Sequence, residues 1–136
     1  MMEDSVIIVA RGYELDSYQH VNNAVYLNYF EHARWEYFRK FDLVNALKNE
    51  KIMPVVTDVH IRYQREIQLF QEIEIRSRCL IQAPYLVFQQ RMINKSTGLP
   101  AARATTKLLF LDSSGLPTDI PDLVVQAVGA DKNDRQ

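Results

Sequence analysis

Between Gly12 and Asn23 the chain places an acid (Asp16), an imidazole (His20) and two amides (Asn22, Asn23) within eight residues, just ahead of a long helical pattern. A helix start leaves backbone N–H groups without partners and carries the positive end of the helix dipole. A carboxylate beside that end can attack a carbonyl, or activate water to do so, while the carbonyl oxygen rests on the N–H groups. These are the parts that acyl transfer needs. Asp16 is the candidate nucleophile or general base, since a carboxylate is ionised at neutral pH and needs no activating neighbour. His20 is the candidate for orienting the loop and polarising the carbonyl. Asn23, with Asn22 as N-cap, would contribute backbone N–H groups rather than its amide. The plainer reading of Asp16 is a turn residue bonded to its own loop. For His20 it is a backbone-bonded loop anchor.

The flanking pattern says what must position these groups. Val6–Ala10 reads as a short apolar strand. From about Asn23, the residues Tyr26, Phe30, Ala33, Tyr37 and Phe41 recur at helical spacing and form one apolar stripe. Asp42 interrupts it, and Val44 and Leu47 add a turn or two. From Met53 the period becomes two, with Val55, Thr57, Val59, Ile61 and Tyr63 on one face and Asp58, His60, Arg62 and Gln64 on the other. Gln71–Ile81 repeats the pattern, placing Ile73, Ile75, Ser77 and Cys79 inside. Tyr85–Asn94 and Ala101–Asp112 are two further strands, separated by the turn at Asn94–Gly98. Pro121 opens a short helix, Asp122–Val128. Consecutive strands with short connections should pair antiparallel, and one helix can face five strands only if the sheet curls around it.

With 136 residues, 47% apolar and 24% charged, one domain over residues 1–129 is expected, followed by a charged, disordered tail at 130–136. Sixteen Lys and Arg against seventeen Asp and Glu leave a net charge of −1, so no bulk field draws nucleic acid or a membrane surface. Cys79 is the single cysteine, no signal sequence is visible, and no apolar run nears the roughly 20 residues of a membrane span. A cytoplasmic protein is expected. The three histidines are dispersed without metal-ligand spacing, and no glycine-rich phosphate loop or serine elbow occurs. No metal and no cofactor are expected.

Arg11-Gly12-Tyr13, Leu15-Asp16, Tyr18-Gln19-His20-Val21-Asn22-Asn23-Ala24, Tyr26-Leu27 and Ala33-Arg34-Trp35, set in the order strand, loop, long helix and four strands, resemble a known family. The chain resembles the hotdog-fold thioesterases of the 4-hydroxybenzoyl-CoA thioesterase type, most closely the bacterial long-chain acyl-CoA thioesterases of fatty-acid degradation. The resemblance implies an α+β hotdog fold, a five-stranded antiparallel sheet wrapped around one long central helix. It also implies homodimers or homotetramers joined at sheet edges, a site at the subunit interface, and a catalytic carboxylate at Asp16. The expected activity is hydrolysis of acyl-CoA, with long-chain fatty acyl groups as substrate. The alternatives are an acyl-carrier-protein thioesterase and a non-catalytic acyl-binding module. Where the family often carries Tyr-Arg-Arg-Pro, this chain has Tyr63-Gln64-Arg65-Glu66.

Tyr26, Tyr29 and Phe30 are candidates for the acyl-binding wall, although aromatics at helical spacing more often pack a core. Arg65 is the candidate for coenzyme A phosphates, because phosphates recruit arginine. Arg62, Arg91, Lys95, Arg103 and Lys107 read mostly as solvated charges on a sheet face, with a few of these basic residues meeting the phosphates if coenzyme A is the carrier. Glu31, on the helix, is the reserve carboxylate.

Overall fold

A computed structural model of the chain describes residues 3–129; the tail expected at 130–136 lies outside the described residues. Strand β1 (Glu3–Val9) leads through a single 3-10 turn (Gly12–Glu14) and the motif loop into helix α1 (Asn23–Lys40). Asp42, in the left-handed region with φ 57°, turns the chain into helix α2 (Leu43–Asn49). Strands β2 (Met53–Tyr63), β3 (Glu72–Gln82), β4 (Tyr85–Asn94) and β5 (Leu99–Leu111) follow. A two-residue strand β6 (Pro117–Thr118) and helix α3 (Asp122–Val128) close the described chain. The 3-10 turn and β6 carry no periodicity that a sequence reading could use.

All strands form one antiparallel sheet in the order β1-β3-β4-β5-β2, with β6 added on β5. The expected α+β hotdog architecture is therefore present, with one correction to strand pairing. β2 and β3 are consecutive but do not pair; β2 lies beside β5 and β3 lies between β1 and β4. The linker at 64–71 crosses the end of the sheet instead of turning tightly. It is fastened by Gln64 and Arg65 N–H groups on the Ala101 carbonyl, and by the buried side chain of Ile67.

The sheet wraps α1, and the helix buries more than the expected stripe: Tyr29, Arg34 and Phe38 are buried beside Tyr26, Phe30, Ala33 and Tyr37. Two apolar clusters run along it. One gathers Tyr26, Tyr29 and Phe30 with Ile67, Ile73, Ile75 and Met92 near the motif. The other gathers Tyr37 and Phe38 with Leu86, Phe88, Phe110 and Val124 at the far end. Cys79 belongs to this second cluster, and burial pushes its thiol up, as expected for a packed core residue. Between the clusters lies a polar seam. Gln90 donates to the Phe30 carbonyl at 3.0 Å and to Ser77 at 2.9 Å, and the buried Arg34 guanidinium reaches Gln90 at 3.4 Å.

A second correction concerns β2. Its register against β5 shifts between Val56 and Asp58, leaving Thr57 as a bulge. Beyond the bulge Val59, Ile61 and Tyr63 lie opposite the inward residues Thr106, Ala104 and Ala102, as the alternation predicts. Before it, Val56 rather than Val55 lies opposite the buried Leu108. No helix among the described residues is long and apolar enough to cross a membrane.

Candidate active site

The motif loop is a small hairpin. Leu15 bridges Val21, Asp16 N–H donates to the His20 carbonyl at 2.8 Å, and Asn22 N–H donates to the Glu14 carbonyl at 2.9 Å. Its tip closes with Gln19 N–H on the Asp16 carbonyl at 3.1 Å and Gln19 in the left-handed region, φ 67°. That conformation is uncommon for a residue with a Cβ, and the turn it makes brings the backbones of Asp16 and His20 together at the neck. Val21 N–H on the Ile67 carbonyl, at 2.8 Å, pins the hairpin to the 64–71 linker.

The Asp16 side chain is half-buried, and its two oxygens differ. Oδ1 accepts the Tyr18 N–H at 2.8 Å and the His20 N–H at 3.4 Å. This is the turn bonding that the plainer reading expected. Oδ2 accepts no hydrogen bond among the described residues, so one oxygen fixes the carboxylate and the other is left for water or an acyl carbon. Two residues beyond His20, Asn22 caps α1: its side chain accepts the Ala24 N–H at 3.0 Å. The exposed Asn23 is the first residue of the helix, and its own carbonyl accepts the Tyr63 hydroxyl at 2.9 Å. Of the first-turn N–H groups, those of Ala24 and Val25 are donated to Asn22, while that of Asn23 has no acceptor among the described residues.

The His20 imidazole meets the 64–71 linker, with Nε2 3.3 Å from Glu66 Oε2. Glu66 stands at the position where the motif's family often has proline, so the departure seen in the sequence supplies the imidazole's partner. Sequence reasoning did not pair the two, because α1, α2 and β2 lie between them along the chain.

Tyr26, Tyr29 and Phe30 are fully buried in the core cluster beneath the loop. Tyr26 donates to the Arg65 carbonyl at 3.0 Å and stacks edge-on with Tyr63 at 5.1 Å; burial pushes its hydroxyl up to about 12. Arg65 itself is exposed, one residue from Glu66. The reserve carboxylate Glu31 is exposed on α1.

Glu14 is the residue that the sequence understated. It is buried, accepts the Tyr29 hydroxyl at 2.6 Å and the Arg11 N–H at 2.8 Å, and pairs with the Arg11 guanidinium at 3.0 Å. Burial pushes its carboxyl up, but the bonds from Tyr29 and Arg11 together outweigh it and hold the group below the ordinary carboxylate range. Both of its carboxylate oxygens are engaged, so Glu14 braces the loop from below and Asp16 keeps the uncommitted oxygen. A polar residue three positions after Arg11 was the only local signal.

Residues 11–128 match the family model described as the thioesterase-like superfamily. The chain belongs to this superfamily, and its fold is the hotdog fold of thioesterases. More particularly, it is similar to the long-chain acyl-CoA thioesterase FadM of Escherichia coli, 41% identical over 71 residues, which are 52% of this chain and 54% of that protein. It is also similar to the chloroplastic acyl-acyl carrier protein thioesterase ATL2 of Arabidopsis thaliana, 26% identical over 84% of this chain and 62% of that one. The chain spans about half the length of the curated relatives it matches. The crystal structure of YbaW, a probable thioesterase from Escherichia coli, superposes with a TM-score of 0.83 at 28% identity, covering 91% of this chain and 98% of that one. The 1,4-dihydroxy-2-naphthoyl-CoA thioesterase Slr0204 from Synechocystis superposes with a TM-score of 0.86 at 11% identity over 97% and 98% of the two chains, a likeness of fold alone.

Proposed function

We propose that the chain, as a single thioesterase domain over residues 1–129, hydrolyses acyl-CoA thioesters, with long-chain fatty acyl groups preferred. The observation that carries this reading is the Asp16 carboxylate, anchored through Oδ1 and open at Oδ2, at the neck of a hairpin that runs into the α1 N-terminus. In the proposed reaction, Asp16 takes a proton from water as the water oxygen bonds to the thioester carbon. The carbonyl oxygen gains charge beside the Asn23 N–H at the positive end of the α1 dipole. The C–S bond then breaks, and the thiolate leaves and is protonated. His20, steadied by Glu66, orients the loop. Attack by Asp16 itself, followed by hydrolysis of the anhydride, uses the same geometry.

The site as proposed is shared between two copies of the chain joined along β2, a sheet edge with unpaired backbone groups. Arg65 then offers its guanidinium to the phosphates of coenzyme A, and Tyr26, Tyr29 and Phe30 form the floor under the acyl chain. The likeness to ATL2 supports a second reading, in which the acyl group arrives on a carrier protein. Release of free thiol from palmitoyl-CoA tests the first reading. No release with palmitoyl-CoA, together with turnover of the palmitoyl carrier-protein thioester, would favour the second.

A further inference from the structure

Strand register brings four arginines into one straight row on the outer face of the sheet. Arg76 on β3 lies directly opposite Arg91 on β4, Arg91 opposite Arg103 on β5, and Arg103 opposite Arg62 on β2. All four are exposed. Tyr63, next to Arg62, reaches the Asn23 carbonyl on the helix side, so by alternation Arg62 and its row face away from the helix and from Asp16. Like charges directly opposite across strands destabilise a sheet. Here three such contacts follow one another in a chain whose net charge is −1. Only Arg76 has a carboxylate partner, Glu74 at 3.1 Å; Arg62, Arg91 and Arg103 have none among the described residues.

The row borders a concave cup of about 670 Å³. Arg76, Arg91 and Arg103 line it, with Arg78, Gln89 and Thr105 from the adjoining row. Among the described residues, Glu3 is the single carboxylate on its wall. Its volume falls in the range of small-molecule sites. Among the described residues the wall offers no large apolar anchor of the kind protein interfaces use, and its one ring is the imidazole of His60. The row extends roughly 14 Å, three strand spacings. A single phosphate would engage two guanidiniums of such a row, whereas a chain of phosphates can engage all four, each arginine presenting two parallel N–H groups.

We propose that this outer face is a binding site for a small-molecule polyphosphate, separate from the Asp16 site and on the opposite side of the sheet. The ligand neutralises the row's self-repulsion as it binds. The experiment uses the full chain at low ionic strength, titrated calorimetrically with inorganic tripolyphosphate, orthophosphate and a polyglutamate of matched charge. Tripolyphosphate should bind at least about tenfold more tightly than orthophosphate or polyglutamate, and the affinity should fall as salt screens these exposed charges. Arg91→Gln/Arg103→Gln should weaken tripolyphosphate binding about tenfold or more, since charge-assisted contacts are lost. Arg39→Gln, on the helix, and Asp16→Asn should leave it unchanged. In polyphosphate-free buffer the double variant should melt at the same or a higher temperature than the parent, because like charges have been removed, and added tripolyphosphate should raise the parent's Tm only. Absence of binding, equal binding by the double variant, or orthophosphate or polyglutamate binding as well as tripolyphosphate would each overturn the proposal. None of these outcomes depends on thioesterase activity.

Discussion

The imidazole of His20 and the carboxylate of Glu66 approach to 3.3 Å, joining the motif hairpin to the linker between β2 and β3. The side chains are about one-third and one-half exposed, at 36% and 57%, so the pair adds little to stability, less than about 1 kcal/mol. Its value is geometric: it holds the ring against the linker. Glu66→Ala should therefore lower kcat by several-fold without a measurable change in Tm. Glu66→Gln, which keeps an acceptor, should restore most of it. Equal losses in both variants would mean that the charge of Glu66, not its position, matters.

Asp16→Asn keeps the Oδ1 acceptor that Tyr18 and His20 N–H groups use, so the hairpin should survive. The change removes the charge at Oδ2. kcat should fall on the order of 10²-fold or more, the range for loss of a general base, with KM nearly unchanged. Glu31→Gln, on the exposed side of α1, should retain most activity. Steady-state kinetics on palmitoyl-CoA decides between them: near-full activity of Asp16→Asn with loss in Glu31→Gln would move the catalytic acid to the helix.

Glu14 should show itself through stability. Glu14→Gln removes the ion pair to Arg11 and leaves an amide N–H₂ facing a guanidinium, at a cost of about 1–3 kcal/mol. The folded-state carboxyl sits below its ordinary value of 4.5. A group held low in the folded state contributes stability that is complete above the unfolded value and is lost as pH falls through the folded one. The gap in unfolding free energy between wild type and Glu14→Gln should thus be constant above about pH 5 and close on acidification below 4.5. Denaturant titrations across that range measure it; a gap that widened in acid would contradict the hydrogen-bonded assignment.

Much of this arrangement could be read along the chain, because it depends on local periodicity. The helix from Asn23, its Asn22 cap, and the inward set Ile73, Ile75, Ser77 and Cys79 all follow from spacing and side-chain chemistry. What could not be read depends on register or distance. The bulge at Thr57 leaves no compositional mark, yet it decides which valine of β2 faces inward. Glu66 meets His20 only once the linker has crossed the sheet. The four arginines look like separate solvated charges until three strand pairings place them side by side. Nothing in the local sequence marks Glu14 as buried, and only its bond from Tyr29, deep in the core, shows why a carboxylate is tolerated there.

Chain-length preference follows from the proposed acyl floor. Tyr26, Tyr29 and Phe30 close the core under the motif, and each methylene buried on such a surface is worth about 0.8 kcal/mol. kcat/KM should rise from acetyl-CoA through hexanoyl-CoA to palmitoyl-CoA. A panel that also includes 4-hydroxybenzoyl-CoA tests this, and equal or better turnover of the acetyl or aromatic thioester would refute the long-chain preference.

The edge strand β2 sets the last prediction. Val56 and Val59 lie opposite inward-facing residues of β5, yet they are 46% and 41% exposed. Leu27 and Trp35 on α1 are 42% and 53% exposed as well. An open edge flanked by apolar side chains invites a second strand, and a second copy in antiparallel register supplies it with closed two-fold symmetry. The chain should be a homodimer at micromolar concentration, alone or paired again into a tetramer. Val59→Lys places a charge on the inner face of that edge, where pairing would bury it without a partner. Light scattering should show the variant shifting towards monomer, and thioesterase activity should fall with the dimer fraction. A wild-type monomer with full activity would remove both the edge pairing and the shared site. A dimeric Val59→Lys without activity would instead place the interface elsewhere and leave Val59 near the substrate.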